Sequence, residues 1–139
     1  MDLHIDVSKK DVEHILTRLD EVVSDPDFDP CKDVVLISKY KPDDPEHSTP
    51  YTLLDLDFDV YDVVDQLKEL TVEDFSEAVA DWNDTNPLTL YIFGKVIHDR
   101  LIFIKFKIRE EPETKVVCVS FHYAREPLEF PYRQNNIRR

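Results

Sequence analysis

The sequence predicts an α+β fold, with N-terminal helices packed on a C-terminal antiparallel β-meander. Three observations predict it. Apolar residues recur at helical spacing through much of the first half, the pattern turns to alternation near Leu88, and the links between the alternating segments are too short for parallel crossovers. A chain of 139 residues lies in the range of one domain, so residues 1–139 are read as a single core.

Each element follows from local chemistry. Ser8 and Asp11 have the spacing of an N-cap with an acidic third helical position. Val12, Ile15, Leu16, Leu19, Val22 and Val23 then recur on one face, which predicts a helix over 9–23. Asp25-Pro26 and Asp29-Pro30 end it, because the residue before proline is pushed out of the helical region. The β-branched run 34–40 predicts a strand, and 41–50, with three prolines, a surface loop. Asp59 is expected to cap a helix reaching about Leu70, with Val60, Val63, Val64 and Leu67 on its buried stripe. Thr71 to Asp74 then starts another short helix with Phe75 and Val79 facing inward, and 81–87 is a turn. Segments 88–97, 101–109 and 115–123 are the three strands, separated by His98-Asp99-Arg100 and by 110–114.

Charge divides the chain unevenly. Residues 1–87 hold 24 acidic and 7 basic side chains, a balance of −17, whereas residues 88–139 hold 6 and 10, a balance of +4. Such asymmetry hints at nucleic-acid or partner binding, or at two parts that attract one another. Cys31 and Cys118, with no CxxC and no dense framework, read as reduced buried thiols. No apolar run reaches the ~20 residues of a membrane helix. With Asp2 and Asp6 and no apolar leader at the N-terminus, no membrane association and a cytoplasmic location are expected. Gly94 is the only glycine, which excludes phosphate-cradling glycine loops. His4, His14 and His47 are scattered, and Asp55, Asp57 and Asp59 lack the glycine and terminal glutamate of a calcium loop. Neither metal nor cofactor is expected.

Alternation sorts the meander into faces. Ile102, Ile104, Phe106 and Ile108 form one apolar face, leaving Leu101, Phe103, Lys105 and Lys107 on the other. Val117, Val119 and Phe121 separate likewise from Val116, Cys118, Ser120 and His122. Leu88, Leu90, Ile92 and Val96 separate from Thr89, Tyr91, Phe93, Lys95 and Ile97. If the core faces coincide, Tyr91, Lys95, Lys105, Lys107, Ser120 and His122 share the opposite face. Lysine or histidine there can move protons, a second cation can stabilise charge on phosphorus, and Tyr91 or Phe93 can stack a base. The alternative is an ordinary solvated sheet face, on which lysines blunt edges.

Leu54-Asp55-Leu56-Asp57-Phe58-Asp59, then 67–75 (LKELTVEDF), then 90–99 (LYIFGKVIHD), resemble the MqsR toxin family of bacterial toxin–antitoxin systems. Residues 117–124 (VCVSFHYA), followed by Pro127 and Phe130-Pro131-Tyr132, look like the longer branch found in Gram-positive bacteria. The likeness covers about 51–133 and leaves 1–50 as an acidic helix-strand extension. It implies a RelE-like α+β fold and a metal-independent mRNA endoribonuclease neutralised by a cognate antitoxin. The family's strand tyrosine matches Tyr91 and the lysine of the next strand matches Lys105, with Lys107 as the register alternative. Two positions depart: a family lysine falls at Glu77, and a tryptophan-glutamine pair becomes Trp82-Asn83. A carboxylate at the first is expected to weaken RNA binding.

Two functions from different classes follow. In the first, an endoribonuclease, Lys105, Lys95, His122 and Tyr91 form the catalytic group, and Lys107, Phe93, Tyr132 and Arg133 bind RNA. In the second, a non-catalytic inhibitor, the −17 part mimics nucleic-acid charge against a basic nucleic-acid-binding protein, with affinity that falls steeply as salt rises.

Overall fold

Residues 3–81 and 89–133 are described by the computed structural model of the chain. They form an α+β fold with strands β1 (His4–Ile5), β2 (Val34–Leu36), β3 (Phe75–Ala80), β4 (Thr89–Ile97), β5 (Arg100–Arg109) and β6 (Lys115–Tyr123), and helices α1 (Lys9–Val23), α2 (Pro30–Asp33), α3 (Thr49–Leu56) and α4 (Val60–Lys68). The six-stranded sheet runs in the order β1-β3-β4-β5-β6-β2. Its β4-β5-β6 part is the expected antiparallel meander, while β2 lies parallel to β6 at one edge. Among the described residues no helix is long and apolar enough to cross a membrane.

The first helix starts and stops where its chemistry dictates. Ser8 Oγ accepts from the Asp11 amide at 3.0 Å and the Asp11 carboxylate accepts from the Ser8 amide at 2.8 Å. Val12, Leu19, Val22 and Val23 then bury one stripe of α1. Asp59 caps α4 by the same reciprocal pairing with Asp62. Helix α3 lies partly in the expected loop: Pro50 sits in its first turn, where a missing N–H costs nothing, and Asp57 closes it in the left-handed conformation at φ 58°. That helix completes the sheet edge. Strand β2 ends at Leu36, short of the expected Tyr40, and beyond it Thr49 Oγ1 and Thr52 Oγ1 accept from the β6 amides of Phe121 at 3.1 Å and Tyr123 at 3.0 Å.

Two further expectations change. After a short 3₁₀ turn, Val72–Asp74, the chain enters strand β3 rather than a helix. Phe75 joins the main core, but Val79 points to the opposite sheet face. The turn expected over 81–87 lies, beyond Asp81, outside the described residues, as do Leu88 and the Trp82-Asn83 pair. Cys118 is buried, which pushes its thiol up to about 12, whereas Cys31 is exposed, so only one of the two thiols is interior.

The helices cover one sheet face. Phe93 and Phe106 stack with ring centres 5.6 Å apart, beside the buried Ile102, Ile104 and Phe121. A bulge in β6 lets Lys105 face Ser120 and Phe106 face Cys118, with Val119 inserted. Val116 and Cys118 therefore join the core, and Val117 and Val119 point away from it, the reverse of plain alternation. The second face carries a small apolar cluster of Val79, Leu90 and Ile92 with Phe103 and Val119. The segment after β6 crosses β4 at Gly94: a Cβ there would lie 2.7 Å from Leu128 and 2.8 Å from Phe130.

Those contacts are side-chain ends that can rotate, and alanine relieves the entropic cost of glycine in a strand, so Gly94→Ala is expected to change stability by less than about 1 kcal/mol. Gly94→Val adds a branched side chain with nowhere to go. It is expected to cost about 1–3 kcal/mol and to release the 125–130 segment, read by denaturant unfolding and by trypsin cleavage after Arg125.

Candidate functional site

The second sheet face, between β6, the chain leaving β2 and the segment after β6, holds a groove of about 860 Å³. Its polar lining includes Lys39, Lys41, Lys105, Ser120, His122 and Arg125, with Glu77, Glu126 and Glu129 on its walls. Lys105 and Ser120 are cross-strand partners, as are Phe103 and His122, whose rings stack at 5.1 Å and 11°. Four of these side chains are thus held by rigid strands rather than by loops.

His122 is buried, and its ring nitrogens have separate tasks. Nδ1 lies 2.9 Å from the Tyr123 carbonyl, which can only accept, so Nδ1 carries the proton and Nε2 is the acceptor. Nε2 lies 3.4 Å from Lys41 Nζ. Burial lowers the His122 pKa below the ordinary range against the opposing pull of the Tyr123 carbonyl, and Lys41, His47 and Lys105 lower it further. The imidazole is neutral at pH 7.

Lys41 reaches the groove because its loop is tied down. Its Nζ donates to the His47 carbonyl at 3.0 Å. Asp44 Oδ1 lies 2.7 Å from His47 Nδ1, and Oδ2 is 3.1 Å from Arg125 Nε, an ion pair whose angle falls short of a hydrogen bond. The His47 contact holds the Asp44 carboxyl below the usual carboxylate range. Burial lowers the Lys41 pKa; Asp44 opposes this, while Lys105, Arg125 and Lys39 add to it. The result is a cluster of cations beside a neutral base, able to hold an anion and accept a proton next to it.

Only part of the expected constellation comes together. Lys105, Ser120 and His122 share the groove, but Tyr91 and Lys95 lie on the helix face, since Tyr91 pairs with Phe106 and Lys95 with Ile102. Tyr91 packs against Phe75, where burial raises its pKa, and Lys95 pairs with Glu69 at the end of α4. Phe93 is fully buried in the aromatic core and has no face for a base. Lys107 is on the groove side of the sheet but buried in an ion pair with Asp81. Tyr132 stacks on Phe75 at 5.8 Å and donates to the Val7 carbonyl at 3.2 Å, and Arg133 lies over Phe130, 3.6 Å from Asp74.

Sequence reasoning missed Lys39, Lys41 and Arg125. Lys41 is 81 residues from His122, and the two meet because β2 pairs in parallel with β6 and delivers the following loop across the sheet. The one local signal was Lys39 and Lys41 at the end of the β-branched run.

Because His122 has a folded-state pKa below its ordinary 6.5, the unfolded chain binds more protons just below that pH. Stability is therefore unaffected by this group above about 6.5 and is lost as pH falls through the window beneath it. NMR titration of the imidazole is expected to show a midpoint below 6.5 that moves up in Lys41→Met, where a neighbouring positive charge is gone. Comparison with family models, with curated proteins and with solved structures finds no match to this chain.

Proposed function

We propose that this chain is a metal-independent endoribonuclease of the MqsR toxin type, RelE-like in fold, acting on RNA in the groove and held in check by a cognate antitoxin. The observation that carries the reading is the neutral His122 imidazole 3.4 Å from the Lys41 ammonium, with Lys105 and Arg125 lining the same groove. A phosphodiester entering there meets positive charge and an unprotonated base together. The resemblance of 51–133 to that family supports the reading independently through Lys105. Tyr91 and Lys95 have no part in it, because they face the helices.

The chemistry balances within these residues. Binding of a phosphate draws the Lys41 N–H from His122 Nε2 to a phosphate oxygen, which opens Nε2. The ribose 2′-hydroxyl gives its proton to Nε2 as its oxygen bonds to phosphorus. Lys105 and Arg125 stabilise the charge that develops on the phosphoryl oxygens. The bond from phosphorus to the 5′-oxygen breaks, and that oxygen takes a proton from Lys41, whose burial makes the ammonium a better acid. The products are a 2′,3′-cyclic phosphate and a 5′-hydroxyl end. Return of the proton from His122 to Lys41 across their contact resets the pair.

Purified protein incubated with a mixed mRNA pool in EDTA is expected to produce fragments ending in cyclic phosphate. Lys105→Ala and Lys41→Met are each expected to slow cleavage by about 10²-fold or more, with the fold checked by circular dichroism. The rate is expected to fall on the acid side as His122 becomes protonated, below its ordinary value of 6.5. A pool left intact, or cut equally well by Lys105→Ala, would remove the proposal.

A further inference from the structure

Glu77, Ile92, Lys105 and Ser120 are successive cross-strand partners on β3, β4, β5 and β6, so their side chains stand in one row across the grooved face. Glu77 and Lys105 both line the groove, with one strand between them. At ordinary strand spacing their backbones are roughly 10 Å apart. The cations Lys105, Lys41 and Arg125 lie toward the β6 side of the row, where Glu126 and Glu129 on the following segment also line the groove, and Glu77 is the carboxylate at the β3 end. Phe103, Val119, Pro127 and Leu128 add apolar lining to the same groove. A nucleotide has this length and polarity: a phosphate, then a sugar and a ring, then an edge of polar groups.

The carboxylate sets which edge fits. Ionised, it offers only acceptors, so it favours a base with two adjacent N–H donors and is repelled by an acceptor beside a donor. Guanine presents N1–H and N2–H side by side, a bidentate match. Adenine and cytosine each place a ring acceptor next to their amino group, and uracil flanks one N–H with two carbonyls. Glu77 is available for such a contact: its Oε1 lies 3.5 Å from His4 Nδ1, both side chains are exposed, and the distance is at the limit of a hydrogen bond. We infer that Glu77 is a specificity-determining residue, which selects a guanine whose phosphate is held by Lys41 and Lys105.

This inference rests on the groove being an RNA site, but its test does not need cleavage. Calorimetric titration of the full chain with guanosine, inosine and adenosine 5′-monophosphates is expected to rank them in that order, with guanosine about tenfold tighter than adenosine, the scale of one good bidentate base contact. Inosine keeps N1–H and lacks the 2-amino group, so it falls between. Glu77→Gln, an exposed replacement of the same shape, is expected to bring guanosine to within about twofold of adenosine. Equal affinities in the unaltered protein, or a guanine preference that persists in Glu77→Gln, would overturn the inference. A guanine preference lost in Glu77→Gln, in a protein that cuts no RNA, would uphold it and remove the endoribonuclease reading instead. Cleavage with no preference at guanine would do the reverse.

Discussion

The hairpin turn at His98 and Asp99 sets the register of the central strand pair, and through it which side chains meet on each face. Both residues have positive φ, 51° and 67°, the backbone of a two-residue turn whose twist matches the flanking strands. It places Ile97 opposite Arg100, and every later pair follows: Phe93 with Ile104, Tyr91 with Phe106. The aromatic stack that anchors the helix layer exists because of this register. So does the row from Glu77 to Ser120 on the other side. A slip of one residue would exchange the two faces of β4 and put Phe93 into the groove.

The groove gathers positive charge where the surroundings are partly dry, and that arrangement needs compensation. Burial lowers the tendency of Lys41 to hold its proton, and the neighbouring charges of Lys105 and Arg125 lower it further. Asp44 is the counterweight. It touches both His47 and Arg125, tying the loop that carries Lys41 to the segment that follows β6. His122 meets the same field by staying neutral, its donor satisfied by the Tyr123 carbonyl. A protein that kept this imidazole protonated would add another charge to the cluster and lose the proton acceptor beside Lys41.

Much of the fold was legible because it depends on local chemistry. The caps at Ser8 and Asp59, the helical stripe from Val12 to Val23 and the three meander strands can be read from spacing and breakers alone. The face assignment of β4 failed for a specific reason. Reading His98-Asp99-Arg100 as a three-residue turn puts Ile97 opposite Leu101, which moves Tyr91 and Lys95 to the side of Lys105 and Lys107. Arg100 belongs to β5 instead. The bulge at Val119 had no sequence mark, since valine alternates there as it would in a plain strand. Lys41 was invisible for a third reason, because its meeting with His122 depends on the long-range parallel pairing of β2 with β6, and nothing in a β-branched run says which neighbour it will take. Lys105 and His122 survived because each lies on a strand whose core-facing partners, Ile104 and Phe121, are unmistakably apolar.

The net charge of −13 argues against an anionic ligand only if charge is averaged over the molecule. It is not evenly placed. Helices α1 and α4 pack on the side of the sheet away from the groove, with the carboxylates of Asp11, Glu13, Asp20, Glu21, Asp62 and Asp65 beside the cations Lys9, Lys10, Arg18 and Lys68. A packed layer is about 10 Å thick, comparable to the ~8 Å over which charges are screened at physiological salt. Across that distance the helix carboxylates act weakly on a phosphate in the groove, while Lys41, Lys105 and Arg125 act at contact range. The division of acidic and basic residues at Leu88 is therefore not the division that matters. Lys39 and Lys41 come from the acidic part and Glu126 and Glu129 from the basic part, yet all four line one groove. What the sheet separates is the helix layer from a groove whose own charges are positive at Lys39, Lys41, Lys105 and Arg125 and negative at Glu77, Glu126 and Glu129.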